Sequence, residues 1–299
     1  LEWARAFQAC GWRVTAADSV AWPLTRASTA VQAYRRLPEP RTRYAEWLQA
    51  LRDCVTREAV DLVLPTCEEV FYLAHGQHRL PCRVLTSRFE LLHELHHKHR
   101  FAQRAAAWPA GAPQTALICS RAELAAYEPV ARQCVFKPAY SRFASRTLIR
   151  PSAKALARVQ PTPMHPWVAQ SFVPGREHCS FSLLVNGQVT AHAVYHPRHR
   201  VGRGSGIWFE PGDPPPVRDF VEHFGRVTGY SGQVGFDFIE GRDGRWFVLE
   251  CNPRATSGVH LFADQPQALV AALLGEAVAA PVTPSPRMVA LAMLLFVAP

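Results

Sequence analysis

Lysine is nearly missing from this chain. Of 33 basic residues, only Lys98, Lys137 and Lys154 are lysines; the rest are arginines. A chain with that habit keeps lysine where a planar guanidinium would not serve. Long apolar runs are missing as well. No stretch of 18 or more apolar residues occurs, which excludes a membrane-spanning helix. The longest apolar run, residues 289–298, is too short to span and reads as a strand. Leu1-Glu2-Trp3-Ala4-Arg5 lacks the charged, apolar and cleavage regions of a signal peptide. The eight cysteines form no C-x-x-C pair and no metal-finger spacing, so they read as scattered, reduced thiols of a cytoplasmic protein. A basic block and an RNA-binding signature are also lacking. The net charge of +9 is spread along the chain, which argues against nucleic acid and leaves a phosphate-rich small ligand.

What is there is a globular balance, 48% apolar and 19% charged, in a 299-residue chain long enough for two or three packed units. Residues 2–10 read as a helix and 12–16 as a strand. Tyr44–Arg57 is an amphipathic helix, with Trp47, Leu48, Leu51 and Val55 at helical spacing. A strand at 60–65, a helix from Glu68, a strand at 83–86 and a helix capped by Ser87 continue the alternation of a parallel α/β sheet. Such a sheet normally opens on a strand. A helix-first order predicts that its first strand precedes Leu1, and the strand-last end predicts further chain after Pro299.

The Pro/Gly-rich residues 108–113 mark a change. Strands follow at 134–137, 167–172, 179–185 and 189–195, the last two joined by the turn pair Asn186-Gly187. A helix at 219–228 and strands at 235–240 and Trp246–Asn252 complete the pattern. The proline run at 211–216 reads as a linker between lobes. The expected division is 1–112, 113–175 and 176–299.

The most informative stretch is residues 235–254. Read as a two-residue turn, Asp243-Gly244 places Asp237 directly opposite Glu250, with Cβ atoms about 5 Å apart. Strand parity puts Asn252 on the face of Glu250, with Ile239 and Val248 one step along. Two facing carboxylates repel unless a cation lies between them. Two acids and an amide oxygen make a hard site, suited to Mg²⁺ or Mn²⁺ and to the phosphates such an ion carries.

Asp237, Glu250, Asn252 and Arg254 form Asp-x(12)-Glu-x-Asn-x-Arg. With Lys98, Lys137 and the segment 167–177 in order before them, residues 60–265 resemble the ATP-grasp superfamily, in its carbamoyl-phosphate-synthase-like and carboxylate–amine ligase branch. The resemblance implies an α/β protein: an N-terminal parallel α/β (pre-ATP-grasp, Rossmann-like) domain, then a two-lobed α+β ATP-grasp fold. It implies metal binding by Asp237, Glu250 and Asn252, and nucleotide binding by Lys98 and Lys137. The hinge residues Gln170, Ser171, Phe172 and Val173 would meet the adenine edge, and Glu177 the ribose hydroxyls. Residues 139–147 replace the glycine-rich phosphate flap of the family, with Arg142 or Arg146 assisting. Arg254 and Lys137 would be catalytic, steadying a developing acyl phosphate.

The implied activity is an ATP- and Mg²⁺-dependent ligase. It would activate a small-molecule carboxylate for attack by an amine or thiol, with no nucleic acid or membrane partner and with a homodimer left open. A carboxyphosphate- or carbamoyl-phosphate-forming enzyme of the same superfamily and an ATP-binding protein without turnover are the alternatives. Four weaker signals remain. His93 and His97 have zinc spacing, but the cluster with His96 and His99 reads as a solvated helix face. Glu68 or Glu69 would contact an amine, or serve a helix N-terminus. Arg198 and Arg203, in the basic loop 196–206, would bind a carboxylate or face solvent. Lys154 reads as a surface residue.

Overall fold

The computed structural model describes residues 1–141, 146–201, 206–280 and 285–297. The first elements are α1 (Glu2–Ala9), β1 (Thr15–Asp18), β2 (Ala33–Arg36), α2 (Tyr44–Arg57), β3 (Leu62–Val63), α3 (Glu69–Gly76), β4 (Arg83–Val84), α4 (Phe89–His96) and α5 (Lys98–Ala105), the expected helices and strands with β2 added. Both strand pairs, β1 with β2 and β3 with β4, are parallel. The apolar face of α2 buries Trp47, Leu48, Leu51 and Val55 against Leu37, Leu73 and Leu80.

An antiparallel sheet follows, in the order β5-β8-β6-β7. Its elements are β5 (Thr115–Ile118), α6 (Arg121–Ala125), β6 (Cys134–Pro138), β7 (Leu148–Ile149), α7 (Ala153–Leu156) and β8 (Trp167–Ser171). Ser120 and Ser152 cap the two short helices through their side chains. Ile118, Leu124, Phe136, Leu156 and Trp167 form a core of their own.

The remaining elements are β9 (Gly175–Val185), β10 (Gln188–Arg200), β11 (Gly206–Gly212), α8 (Pro215–Thr228), β12 (Gly232–Gly241), β13 (Trp246–Asn252), α9 (Pro266–Leu274), β14 (Arg287–Met288) and α10 (Ala290–Phe296). The strands make a six-stranded antiparallel sheet in the order β13-β12-β9-β10-β11-β14. One face packs on α4, α5 and α8 through Leu92, Leu95, Phe101, Phe220, Phe224, Phe236 and Phe238. The other packs on α1 and α9 through Trp3, Phe7, Phe181, Leu269 and Leu273. Each fully buried phenylalanine contributes about 1.5–3 kcal/mol, so this sheet is the most heavily supported layer.

Asn186 and Gly187 turn with φ of 50° and 82°, as the hairpin expectation requires. Gly187 also receives α8: a Cβ on Gly225 would lie 2.1 Å from the Gly187 carbonyl oxygen.

Three expectations fail here. Residues 289–298 contain the helix α10, because Ala, Leu and Met dominate them and apolar runs of this length do not distinguish strand from helix. Residues 211–216 are no linker. They finish β11 and start α8, whose first turn has no use for the amide hydrogens that proline lacks. Residues 196–200 are not a loop but the end of β10, paired with β11.

Candidate functional site

The site is built on the β12–β13 hairpin. Its tip differs from the expected two-residue turn. Gly241 N donates to Arg245 O at 2.7 Å, and Gly244 takes a φ of 77° in a three-residue loop. From there the register pairs Glu240 with Trp246, Ile239 with Phe247 and Phe238 with Val248. A bulge at Leu249 then inserts one residue, and the ladder resumes with Asp237 opposite Glu250. The expected pairing of the two acids is therefore present through two offsets that cancel. The neighbours differ: Val248 lies in the core beside Phe238, and Ile239 faces Phe247.

Three strands line up the acid row, because Asp237 pairs with Glu250 on one side and with Cys179 of β9 on the other. Burial, then the neighbouring Glu250 charge, pushes Asp237 up to about 6. Burial acts on Glu250 in the same direction, but Lys98 and Lys137 outweigh it and hold its carboxyl down at about 2. Both ammonium groups reach the same oxygen: Nζ of Lys98 is 3.4 Å and Nζ of Lys137 3.5 Å from Glu250 Oε2. Burial lowers the Lys137 pKa, and Glu250 opposes that. Lys98 opens α5, where its backbone amide donates to Ala139 O at 3.0 Å and its Nζ to Ser141 O at 3.1 Å. The segment just past β6 is thus tied to the helix that carries the lysine.

Asn252 and Arg254 close the row. Asn252 Nδ2 points to Asp237 Oδ2 at 3.5 Å, and Arg254 Nη2 donates to Asn252 Oδ1 at 3.3 Å. Arg254 Nη1 is held by Ala255 O at 3.0 Å, while its buried Nε has no hydrogen-bond partner. The chemistry of this set fits a hard divalent ion. Two half-buried carboxylates face each other, and turning the Asn252 amide adds a third oxygen. Among the described residues no three His, Cys, Asp or Glu side chains are placed to hold a metal, so the site depends on that amide.

The hinge residues are less free than expected. Ser171 N and Phe172 N already donate to Gln114 O and Gln133 O, both at 2.8 Å. Their carbonyls and the Val173 backbone are what remain for a base edge. The Gln170 side chain is buried and donates to Thr115 Oγ1 at 3.1 Å and Leu249 O at 3.4 Å. Glu177 is ion-paired with Arg200 and lines an open groove of about 630 Å³ together with Arg176, His196, Glu240 and Arg242.

Other expected roles move. The histidines are not a solvated face. The helix breaks at His97, which caps α5, and Tyr140 lies against the cluster with its hydroxyl 2.7 Å from His93 Nε2. Burial lowers His96 to about 3 and His97 to about 4, so both are neutral. Glu69 accepts from the amides of Thr66 and Cys67 at 2.6 and 2.9 Å, which is a helix-start role. The Arg146 guanidinium lies over the Trp167 ring, 5.3 Å from its centre, rather than over the lysines. Arg198 is exposed on β10. Arg142 and Arg203 lie outside the described residues. Sequence reasoning missed Cys179 and the Gln170 link, because both depend on which strands become neighbours.

No family model matches the sequence, and no curated protein matches it. Solved structures do. An L-amino acid ligase from Bacillus licheniformis superposes with a TM-score of 0.70 at 15% identity, over 92% of this chain and 72% of that one. An N5-carboxyaminoimidazole ribonucleotide synthetase in complex with ADP gives 0.73 at 13% identity, over 95% and 76%. The biotin carboxylase domain of a Hydrogenobacter thermophilus 2-oxoglutarate carboxylase, with MgADP and bicarbonate, gives 0.68 at 12%, over 92% and 67%. With the lysines and the acid row at the face of its large sheet, this chain has the fold of the ATP-grasp ligases.

Proposed function

We propose that the chain is an ATP-dependent ligase that activates a small-molecule carboxylate as an acyl phosphate for attack by an amine. One observation carries the reading: two buried ammonium groups meet one carboxylate oxygen beside a second acid. That arrangement is a cradle for phosphate oxygens on one side and for a divalent cation on the other. Asp237, Glu250 and Asn252 would hold Mg²⁺ or Mn²⁺, which would supply charge neutralisation at the phosphates.

The chain's own groups do the rest. Lys98 and Lys137 grip the phosphates. A carboxylate oxygen of the substrate attacks the γ-phosphorus, the bond to the β-phosphate oxygen breaks, and ADP leaves. Arg254, with its unpartnered Nε, steadies the charge on the acyl phosphate. The amine nitrogen then attacks the acyl carbon, inorganic phosphate departs, and the amine proton goes to solvent. No side-chain nucleophile is required, because positioning and electrostatics carry phosphoryl transfer. The Val173 backbone and the carbonyls beside it would take the adenine, and Glu177 the ribose once Arg200 yields. The division at 1–112, 113–175 and 176–299 belongs to this reading, as does a cytoplasmic site.

Bicarbonate as the carboxylate is the second reading, favoured by the likeness to structures that bind it or add carboxyl groups. The test is ADP release over a panel of acids and amines, with hydroxylamine trapping of the acyl phosphate. Trapped hydroxamate with one acid supports the ligase. ADP release that follows bicarbonate alone supports the second reading. ATP binding without ADP release under any combination overturns both.

A further inference from the structure

We propose that Gln170 is a positioning residue: its side-chain amide holds the Leu249 bulge and so keeps Glu250 against Asp237. This rests on the ATP reading of the site.

The need for the bulge follows from strand parity. Between the loop and Phe238 the ladder pairs Phe238 with Val248. Continued without an extra residue, it would put Leu249 opposite Asp237. Glu250 would stand opposite Phe236, on the face that packs on α5 and α8. One inserted residue turns the carboxylate back to the acid row. An insertion leaves backbone groups outside the ladder, and buried backbone groups require partners.

The partners come from elsewhere. Val248 N donates to Gly111 O at 2.9 Å and Ala110 O at 3.3 Å, in the connection before β5. Leu249 O accepts from Gln170 Nε2, on β8 of the four-stranded sheet. The same nitrogen donates to Thr115 Oγ1 on β5. A primary amide has two N–H donors, and here both are in use. Gln170 is 2% exposed, so its amide is directed across the sheets rather than offered to a base. The amide is also chemically selected. A glutamate would turn a carboxylate oxygen toward the Leu249 carbonyl with no proton to share.

The assay is calorimetry on the full chain with ATP and with inorganic tripolyphosphate, each with and without Mg²⁺. In Gln170→Glu, the affinity gained on adding Mg²⁺ should fall about tenfold for both probes, the loss of one hydrogen bond in a charged site. Metal-free ATP binding should stay within twofold. A loss confined to ATP, with tripolyphosphate unaffected, overturns the proposal, because it makes Gln170 a base-reading residue. An unchanged Mg²⁺ gain for both probes overturns it as well. If Gln170→Glu does not fold, Thr115→Val removes the second anchor of the amide. It should reduce the Mg²⁺ gain in the same way, and an unchanged gain again refutes. Failure of the ATP reading itself looks different: the wild-type protein would then bind neither probe.

Discussion

Replacing Lys137 by methionine keeps most of the buried stem and removes only the charge. The structure sets the magnitude. At the 3.5 Å that separates Lys137 Nζ from Glu250 Oε2, two unit charges interact by about 5 kcal/mol at an effective dielectric of about 20. A phosphate oxygen gripped at similar range feels the same field, but the buried ammonium has already lost its water. The net value of a charged hydrogen bond is about 2–3 kcal/mol, which is a loss of roughly 30- to 150-fold in Mg²⁺·ATP affinity. Folding should change by no more than about 1 kcal/mol, because Glu250 keeps Lys98 and an apolar side chain suits a buried site. Calorimetry with ATP, paired with a thermal melt, separates the two quantities. Affinity within twofold of wild type at an unchanged melt would refute the assignment of Lys137 to the phosphates.

Glu250→Gln should abolish Mg²⁺-dependent ADP release while circular dichroism stays native; full turnover would remove the metal site from this row. Gly225→Ala should destabilise the fold by about 1–3 kcal/mol in a denaturant melt, because its Cβ meets the Gly187 carbonyl at 2.1 Å. His97→Asn should retain the α5 cap but remove a titration. The folded His97 pKa lies below the unfolded value, so wild type binds fewer protons when folded. Wild-type stability relative to His97→Asn should therefore fall as pH drops from about 6.5 toward 4, by about 1 kcal/mol per pH unit. Parallel melts across that range decide it, and a flat difference would contradict the buried, neutral assignment.

The large elements were legible in the sequence because each carries a local signal. The α2 stripe, the Asn186-Gly187 turn and the charged hairpin all state their geometry within a few residues. Rarity drew attention to three lysines, and the resemblance singled out Lys98 and Lys137 from Lys154. What was not legible depends on partners far away in sequence. The Asp237–Glu250 pairing was expected from a two-residue turn that does not form. It survives because the Leu249 bulge corrects the count, and that bulge is held by residues 110, 111 and 170. The histidines misread as solvated because helical spacing was carried through His97, where the chain breaks and Tyr140 covers them. The run at 289–298 lacked the alternation or length that separates strand from helix.

The two lysines stand on elements with different cores. Lys98 starts a helix whose Phe101 stacks 6.0 Å from Phe236, on the strand next to that of Glu250. Its distance to the acid is fixed by the same core that supports the large sheet. Lys137 stands on β6, in a sheet with a separate core. The bonds from Lys98 to Ala139 O and Ser141 O, just past β6, bridge those two cores, so α5 acts as a clasp and Glu250 holds both ammonium groups at one point.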